Sequence, residues 1–129
     1  MMELVTDIKP HLQSRQRDYL LMTVYMLAQH GDYTRAKQII DGMLALGERS
    51  EMILTSQAVL EFFCGNYAMA LRCLDDLDRT TGGQKTPAKD EIRMRQYLRA
   101  RCYYSSGREA EAQDIATGLA AKSTQLVPR

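Results

Sequence analysis

Apolar residues recur at three- and four-residue spacing along most of the chain. Leu20, Val24, Leu27 and Ala28 fall on one helical stripe; Ala36, Ile39, Ile40, Met43 and Leu44 fall on another. Alternating runs of strand type are absent. Proline stands only at Pro10, Pro87 and Pro128, so no proline interrupts residues 13–86. The pattern predicts an all-α protein with helices over 14–30, 33–46, 50–64, 67–78, 89–105 and 109–122. Residues 1–13 read as a weakly held N-terminal segment and 14–123 as one folded domain. Residues 124–129 end in Leu126-Val127-Pro128-Arg129, similar to the upstream half of a thrombin-cleavage linker. They are set aside from the expected fold as an appended remnant.

The same block returns three times. Gly31-Asp32-Tyr33-Thr34-Arg35-Ala36 is echoed by Gly65-Asn66-Tyr67-Ala68-Met69-Ala70. A third copy, Gly107-Arg108-Glu109-Ala110-Glu111-Ala112, follows at a longer interval. The excess falls in 80–89, a Gly/Thr/Lys-rich stretch that reads as an exposed loop, and removing it restores the first period. Each unit therefore reads as helix, glycine turn, helix. The small Ala36, Ala70 and Ala112 let paired backbones approach. Ile40 and Leu74 fill the space one turn later, where the third unit has only Ala116.

Composition narrows the function classes. With 129 residues, 45% hydrophobic and 26% charged, the chain has the balance of a single globular domain. Seventeen basic against sixteen acidic residues argue against nucleic acid or an anionic membrane as the main partner. No apolar run is long enough to span a membrane, and residues 1–10 lack the apolar core of a secretory signal. Three cysteines without CxxC spacing (Cys64, Cys73 and Cys102) point to buried free thiols and a reducing cytosol.

The spacing resembles the tetratricopeptide repeat. Leu20, Val24, Leu27, Gly31, Tyr33, Ala36, Ile40 and Met43 fall on signature positions in the first unit. Leu54, Ala58, Gly65, Tyr67, Ala70, Leu74 and Leu77 do so in the second, and Ala100, Tyr103, Gly107, Ala112, Ala116 and Leu119 in the third. The chain departs from the pattern at Glu61, a usually bulky position, and at Glu109, where the tyrosine belongs. No unit ends in the usual proline. The resemblance covers about residues 17–122. It implies about three repeats in a short right-handed superhelical array with a concave groove. In size, and in the segment Arg15-Gln16-Arg17-Asp18-Tyr19-Leu20-Leu21, the chain also resembles the small tetratricopeptide-like chaperones of bacterial type III secretion, either the SctY-type or the needle-subunit SctG-type. That likeness implies a cytoplasmic bacterial protein holding a small helical export substrate, SctX-like or a needle subunit, before secretion. Contact with the export apparatus is a further expectation.

The resemblance places Leu21 and Tyr25 of the first unit on the concave face. It adds Met52, Val59, Phe62 and Phe63 of the second, and Met94, Tyr97, Arg101 and Tyr104 of the third. An apolar groove of this kind calls for a cover, and an amphipathic partner helix anchored at i, i+3, i+4 and i+7 suits it. Of Phe62 and Phe63, adjacent in sequence, at most one faces the groove fully. Repeats that clamp a carboxylate use Lys and Asn where this chain has Leu21 and Tyr25, so a carboxylate clamp is disfavoured. A general repeat adaptor unrelated to secretion, binding through its outer surface or the 80–89 loop, is the alternative. So is a homodimer that covers the groove.

No residue set argues for catalysis. His11 and His30 stand alone, and no HExxH, Cys/His cluster or calcium-loop motif occurs. Gly82-Gly83 lacks the lysine of a phosphate loop. The acidic group Asp75, Asp76 and Asp78 and the basic run Arg93, Arg95, Arg99 and Arg101 read as solvated helix faces. The chain is expected to be a binding protein without enzyme activity, cofactor or metal.

Overall fold

A computed structural model describes residues 12–81 and 89–126 of the chain. Six helices follow in order: α1 (Ser14–Gln29), α2 (Tyr33–Ala45), α3 (Glu51–Phe63), α4 (Tyr67–Thr81), α5 (Lys89–Ser105) and α6 (Glu109–Leu126). No strand occurs among the described residues. Most boundaries fall within a residue or two of the periodicity. Two helices run longer, with α4 continuing to Thr81 and α6 to Leu126, three residues into the stretch set aside as a linker. Residues 1–11 of the N-terminal segment, 82–88 of the loop and 127–129 of the tail lie outside the described residues.

Each helix packs chiefly on the next: α1 on α2, α2 on α3, and so on to α6. The tight turns come from glycine. Gly31, Gly65 and Gly107 all have φ near +80° (78°, 83° and 85°), a conformation other residues resist. Around Gly31 the closure is a Schellman motif: the Gly31 N–H donates to Ala28 C=O (3.0 Å) and the Asp32 N–H to Leu27 C=O (2.9 Å). The same pair of bonds recurs at Gly47–Glu48, at Gly65–Asn66 and at Gly107–Arg108. Among the described residues, the short turns at Gly31, Gly65 and Gly107 join α1 to α2, α3 to α4 and α5 to α6, and each such pair is a helical hairpin. Asp32 then caps α2 by accepting from the Arg35 N–H, and Ser50 caps α3 by accepting from the Ile53 N–H.

Two apolar clusters make the core. Val24, Ala36, Ile40, Met43, Ile53 and Leu60 join the first hairpin to α3. Ala58, Phe62, Ala70, Cys73, Leu74, Leu98 and Cys102 join the second hairpin to α5. The repeated alanines Ala36, Ala70 and Ala112 are all buried, as close packing within each hairpin requires. Glu61, the departure from the bulky pattern, is buried but not abandoned. It takes the Lys37 ammonium at 3.2 Å and the Asn66 side-chain N–H at 2.9 Å.

The charged runs correct the expectation of solvated faces. Arg95 is 2% exposed and reaches Glu51 of α3 (2.7 Å) and Asp78 of α4 (3.0 Å). Arg99 pairs with Asp75 (3.2 Å) and Asp78. Half of the basic run is therefore a clasp for much of the acidic group. Helical wheels built on apolar residues alone miss this, because the long arginine stem packs as a hydrocarbon while its head finds carboxylates on neighbouring helices.

Candidate functional site

Twelve large apolar side chains are exposed among the described residues, and ten of them stand on the first helices of the hairpins. On α1 these are Tyr19, Met22, Tyr25 and Met26; on α3, Met52 and Phe63; on α5, Ile92, Met94, Tyr97 and Tyr104. Among the described residues the second helices contribute only Met69 of α4. Among the described residues, large apolar exposure is thus concentrated on the first helix of each hairpin.

Of the ten residues expected at a binding groove, seven are exposed: Tyr25, Met52, Phe63, Met94, Tyr97, Arg101 and Tyr104. Leu21 and Val59 are half-buried against the first and second clusters respectively. Phe62 is the correction. It is 6% exposed and belongs to the second core cluster, because the α3 turn that points Phe63 outward rotates its neighbour onto α4 and α5.

Aromatic contacts tie part of this set together. Phe63 stacks on Tyr33 of α2 (centroids 4.7 Å, planes 10° apart) and meets Phe62 edge-on at 5.3 Å. The Arg101 guanidinium of α5 lies 4.7 Å from the Phe62 ring centroid and 5.9 Å from that of Tyr97. One ladder, Tyr33–Phe63–Phe62–Arg101–Tyr97, therefore crosses all three hairpins. Among the described residues Arg101 has no carboxylate partner, so its charge is available to an acidic ligand. Tyr25 sits apart from the ladder, its hydroxyl accepting from Gln29 on its own helix (2.6 Å).

Tyr97, Arg101 and Tyr104 line a recess of about 530 Å³ between α5 and α6, with Ala112, Ala116 and Leu119 opposite. The small Ala116, where the earlier hairpins have Ile40 and Leu74, leaves this recess open. A second recess of about 580 Å³ contains Lys37, Glu61 and Asn66, already bonded to one another.

α1 also exposes residues that the periodicity did not single out. Tyr19, Met22 and Met26 are 70%, 64% and 54% exposed. Their i, i+3, i+7 spacing on the side of α1 opposite Leu20, Val24 and Leu27 was the available signal.

Burial pushes the Cys73 thiol up to about 11 and raises the Cys102 thiol too, which keeps both protonated and unreactive near neutrality. Among the described residues there is no group of acidic, histidine or cysteine side chains suited to hold a metal. No helix among them is long and apolar enough to cross a membrane. Compared with known proteins, the chain matches no family model, no curated protein and no solved structure.

Proposed function

We propose that the chain is a tetratricopeptide-like binding protein of the type III secretion chaperone kind. In this reading it works in the bacterial cytoplasm and holds a small helical export substrate until secretion. The observation that carries this is the concentration of exposed Tyr, Met and Phe on α1, α3 and α5. A partner helix laid across these helices buries its apolar stripe on Tyr25, Met52, Phe63, Met94, Tyr97 and Tyr104. Methionine adapts to such a stripe and tyrosine offers both ring and hydroxyl. Arg101 then accepts one acidic residue of the partner. Binding is the whole mechanism: covering the substrate's apolar face blocks premature assembly, and release hands it to the export apparatus.

The test is co-purification from the native host with the mass of the complex, on the wild-type chain and on Tyr25→Asp, Tyr97→Asp and Tyr104→Asp. All three residues are exposed, so their substitution leaves the core intact. The reading expects one small helical secretion protein at 1:1, lost in the variants while helicity is retained. A large folded partner that all three variants keep would favour an adaptor binding through another surface.

A further inference from the structure

Equivalent residues of the hairpins stand in unequal surroundings. With the turn glycines Gly31, Gly65 and Gly107 in register, Val24, Ala36, Ile40 and Met43 fall on Ala100, Ala112, Ala116 and Leu119. The first set shares a buried cluster with Ile53 and Leu60 of α3. In the second hairpin, Ala58, Phe62, Ala70 and Leu74 fall on Ala100, Tyr104, Ala112 and Ala116, and share a cluster with Leu98 and Cys102 of α5. In the third hairpin these positions line the open recess of about 530 Å³. The recess is thus the seat that α3 and α5 take on the earlier hairpins, and among the described residues no helix fills it. At the other end of the array, Ile53 and Leu60 fall on Tyr19 and Met26, and Leu98 falls on Met22. Those are positions that each later hairpin buries against the one before it, and on α1 all three are exposed.

We propose that the two ends fit one another: α1 of a second copy of the chain sits in the α5–α6 recess, as α3 sits on the first hairpin. Side-chain size favours this occupant. Within the chain, Ile40 and Met43 share their cluster with Ile53 and Leu60. Between copies, Ala116 and Leu119 meet the larger Tyr19 and Met26, so a wall made small at Ala116 faces a larger ridge and the seam keeps its bulk. Charge favours it too. Where α4 has Asp75 and Asp78, α6 has Thr117 and Ala120; where α5 has Arg95 and Arg99, α1 has Tyr19 and Thr23. Both halves of the ionic clasp are absent together, so neither end strands a charge against the other. The contact also covers Tyr97 and Tyr104, which line the recess. It is heterologous: each copy offers a head and a tail, and copies add end to end as repeats do within the chain. It does not rest on the partner reading above. The two share Tyr97 and Tyr104, so a partner helix and a second copy compete there.

The test is analytical ultracentrifugation of the purified full chain, as wild type and as Tyr19→Glu and Ala116→Glu. Both sites are exposed, so neither change touches the core, and circular dichroism checks that helicity is kept. Met22→Glu, on the same exposed stripe, provides a second chain with a blocked head. The wild-type weight-average mass is expected to rise about twofold or more between roughly 10 µM and roughly 1 mM. Each variant alone is expected to stay a monomer, the first for want of a head and the second for want of a tail. Their equal mixture retains one native tail and one native head, and is expected to give a dimer that grows no further. A wild-type chain still monomeric at roughly 1 mM overturns the proposal. Association that Ala116→Glu leaves intact overturns it too, and would assign α1 to contact with the α1 of a second copy. So does a mixture of the two variants that stays monomeric.

Discussion

The seam between the first and second hairpins and the seam between the second and third solve one packing problem with different chemistry. At the first, α2 and α3 meet through Ile40, Met43, Ile53 and Leu60, all buried. Its main buried ion pair, Lys37–Glu61, lies beside the apolar contact. At the second, α5 offers Leu98, Cys102 and the stem of Arg95, and the clasp is ionic: Arg95 to Glu51 and Asp78, Arg99 to Asp75 and Asp78. Apolar contact is not weakened by salt. Ion pairs whose carboxylates are 42–70% exposed are screened by it. The third hairpin, which carries Tyr97, Arg101 and Tyr104 of the proposed partner surface, is thus held by the more adjustable seam. Binding sites commonly sit on such low-stability elements.

The largest expected effect belongs to the first seam. Ile53 is fully buried, so Ile53→Ala removes apolar burial and leaves a cavity, costing about 4 kcal/mol. Urea unfolding followed by circular dichroism measures it. A loss below about 1 kcal/mol would mean that α3 does not depend on this contact.

The next effect is alkaline and belongs to the second cluster. The Cys73 thiol is raised from 9.0 to about 11, chiefly by burial and then by the nearby Glu61 carboxylate. A raised acid favours the protonated folded state. The associated stability is complete below pH 9, where the unfolded thiol is still protonated, and falls as pH climbs toward 11. The loss reaches about 2–3 kcal/mol at the limit. Cys73→Ala should flatten the decline in that window, and identical slopes for the two proteins would refute the assignment.

Helix bounds and turns were legible because they depend on local chemistry: helical spacing of apolar residues and a glycine able to take positive φ. Which face of a helix is covered is not local. Phe62 and Phe63 are identical in sequence terms, and only the placement of α4 and α5 decides that one is core. Arg95 carries a charge that on its own helix has no reason to be buried; its partners Asp78 and Glu51 stand on α4 and α3. Tyr19, Met22 and Met26 form as regular a stripe as Leu20, Val24 and Leu27. An α1 that is apolar on opposite sides offers two faces, and spacing alone does not say which of them the core covers.

At the second seam, Arg95→Ala tests how much of the clasp is energy. Removing one partner of a buried pair is costly when the other charge stays buried, at about 3–5 kcal/mol. Here Glu51 and Asp78 are more than two-fifths exposed and regain water, so the expected loss is nearer about 1–2 kcal/mol. Hydrogen exchange should show it as faster opening of α5 and α6 with α1 and α2 unchanged. In the wild-type chain, molar salt should move α5 in the same direction. Uniform acceleration along all six helices would mean that the seams open together and the contrast between them is not energetic.

The smallest effect tests how much a second ion pair, besides Lys37–Glu61, contributes at the first seam. Arg17 of α1 grips Glu48, in the loop between α2 and α3, through two bonds of 2.9 and 3.2 Å. The hydrogen bond to Glu48, and then its charge, raises the Arg17 guanidinium further above its ordinary value, so it stays charged throughout the working range. The guanidinium is partly open to solvent, so much of its attraction is matched by water. Glu48→Gln keeps the shape and one acceptor while removing the charge. It should lower the unfolding temperature less than Arg95→Ala does, and the difference from wild type should vanish in molar salt. A salt-resistant loss as large as that of Arg95→Ala would show that the α1 end is pinned electrostatically too, and the two seams would then differ in degree and not in kind.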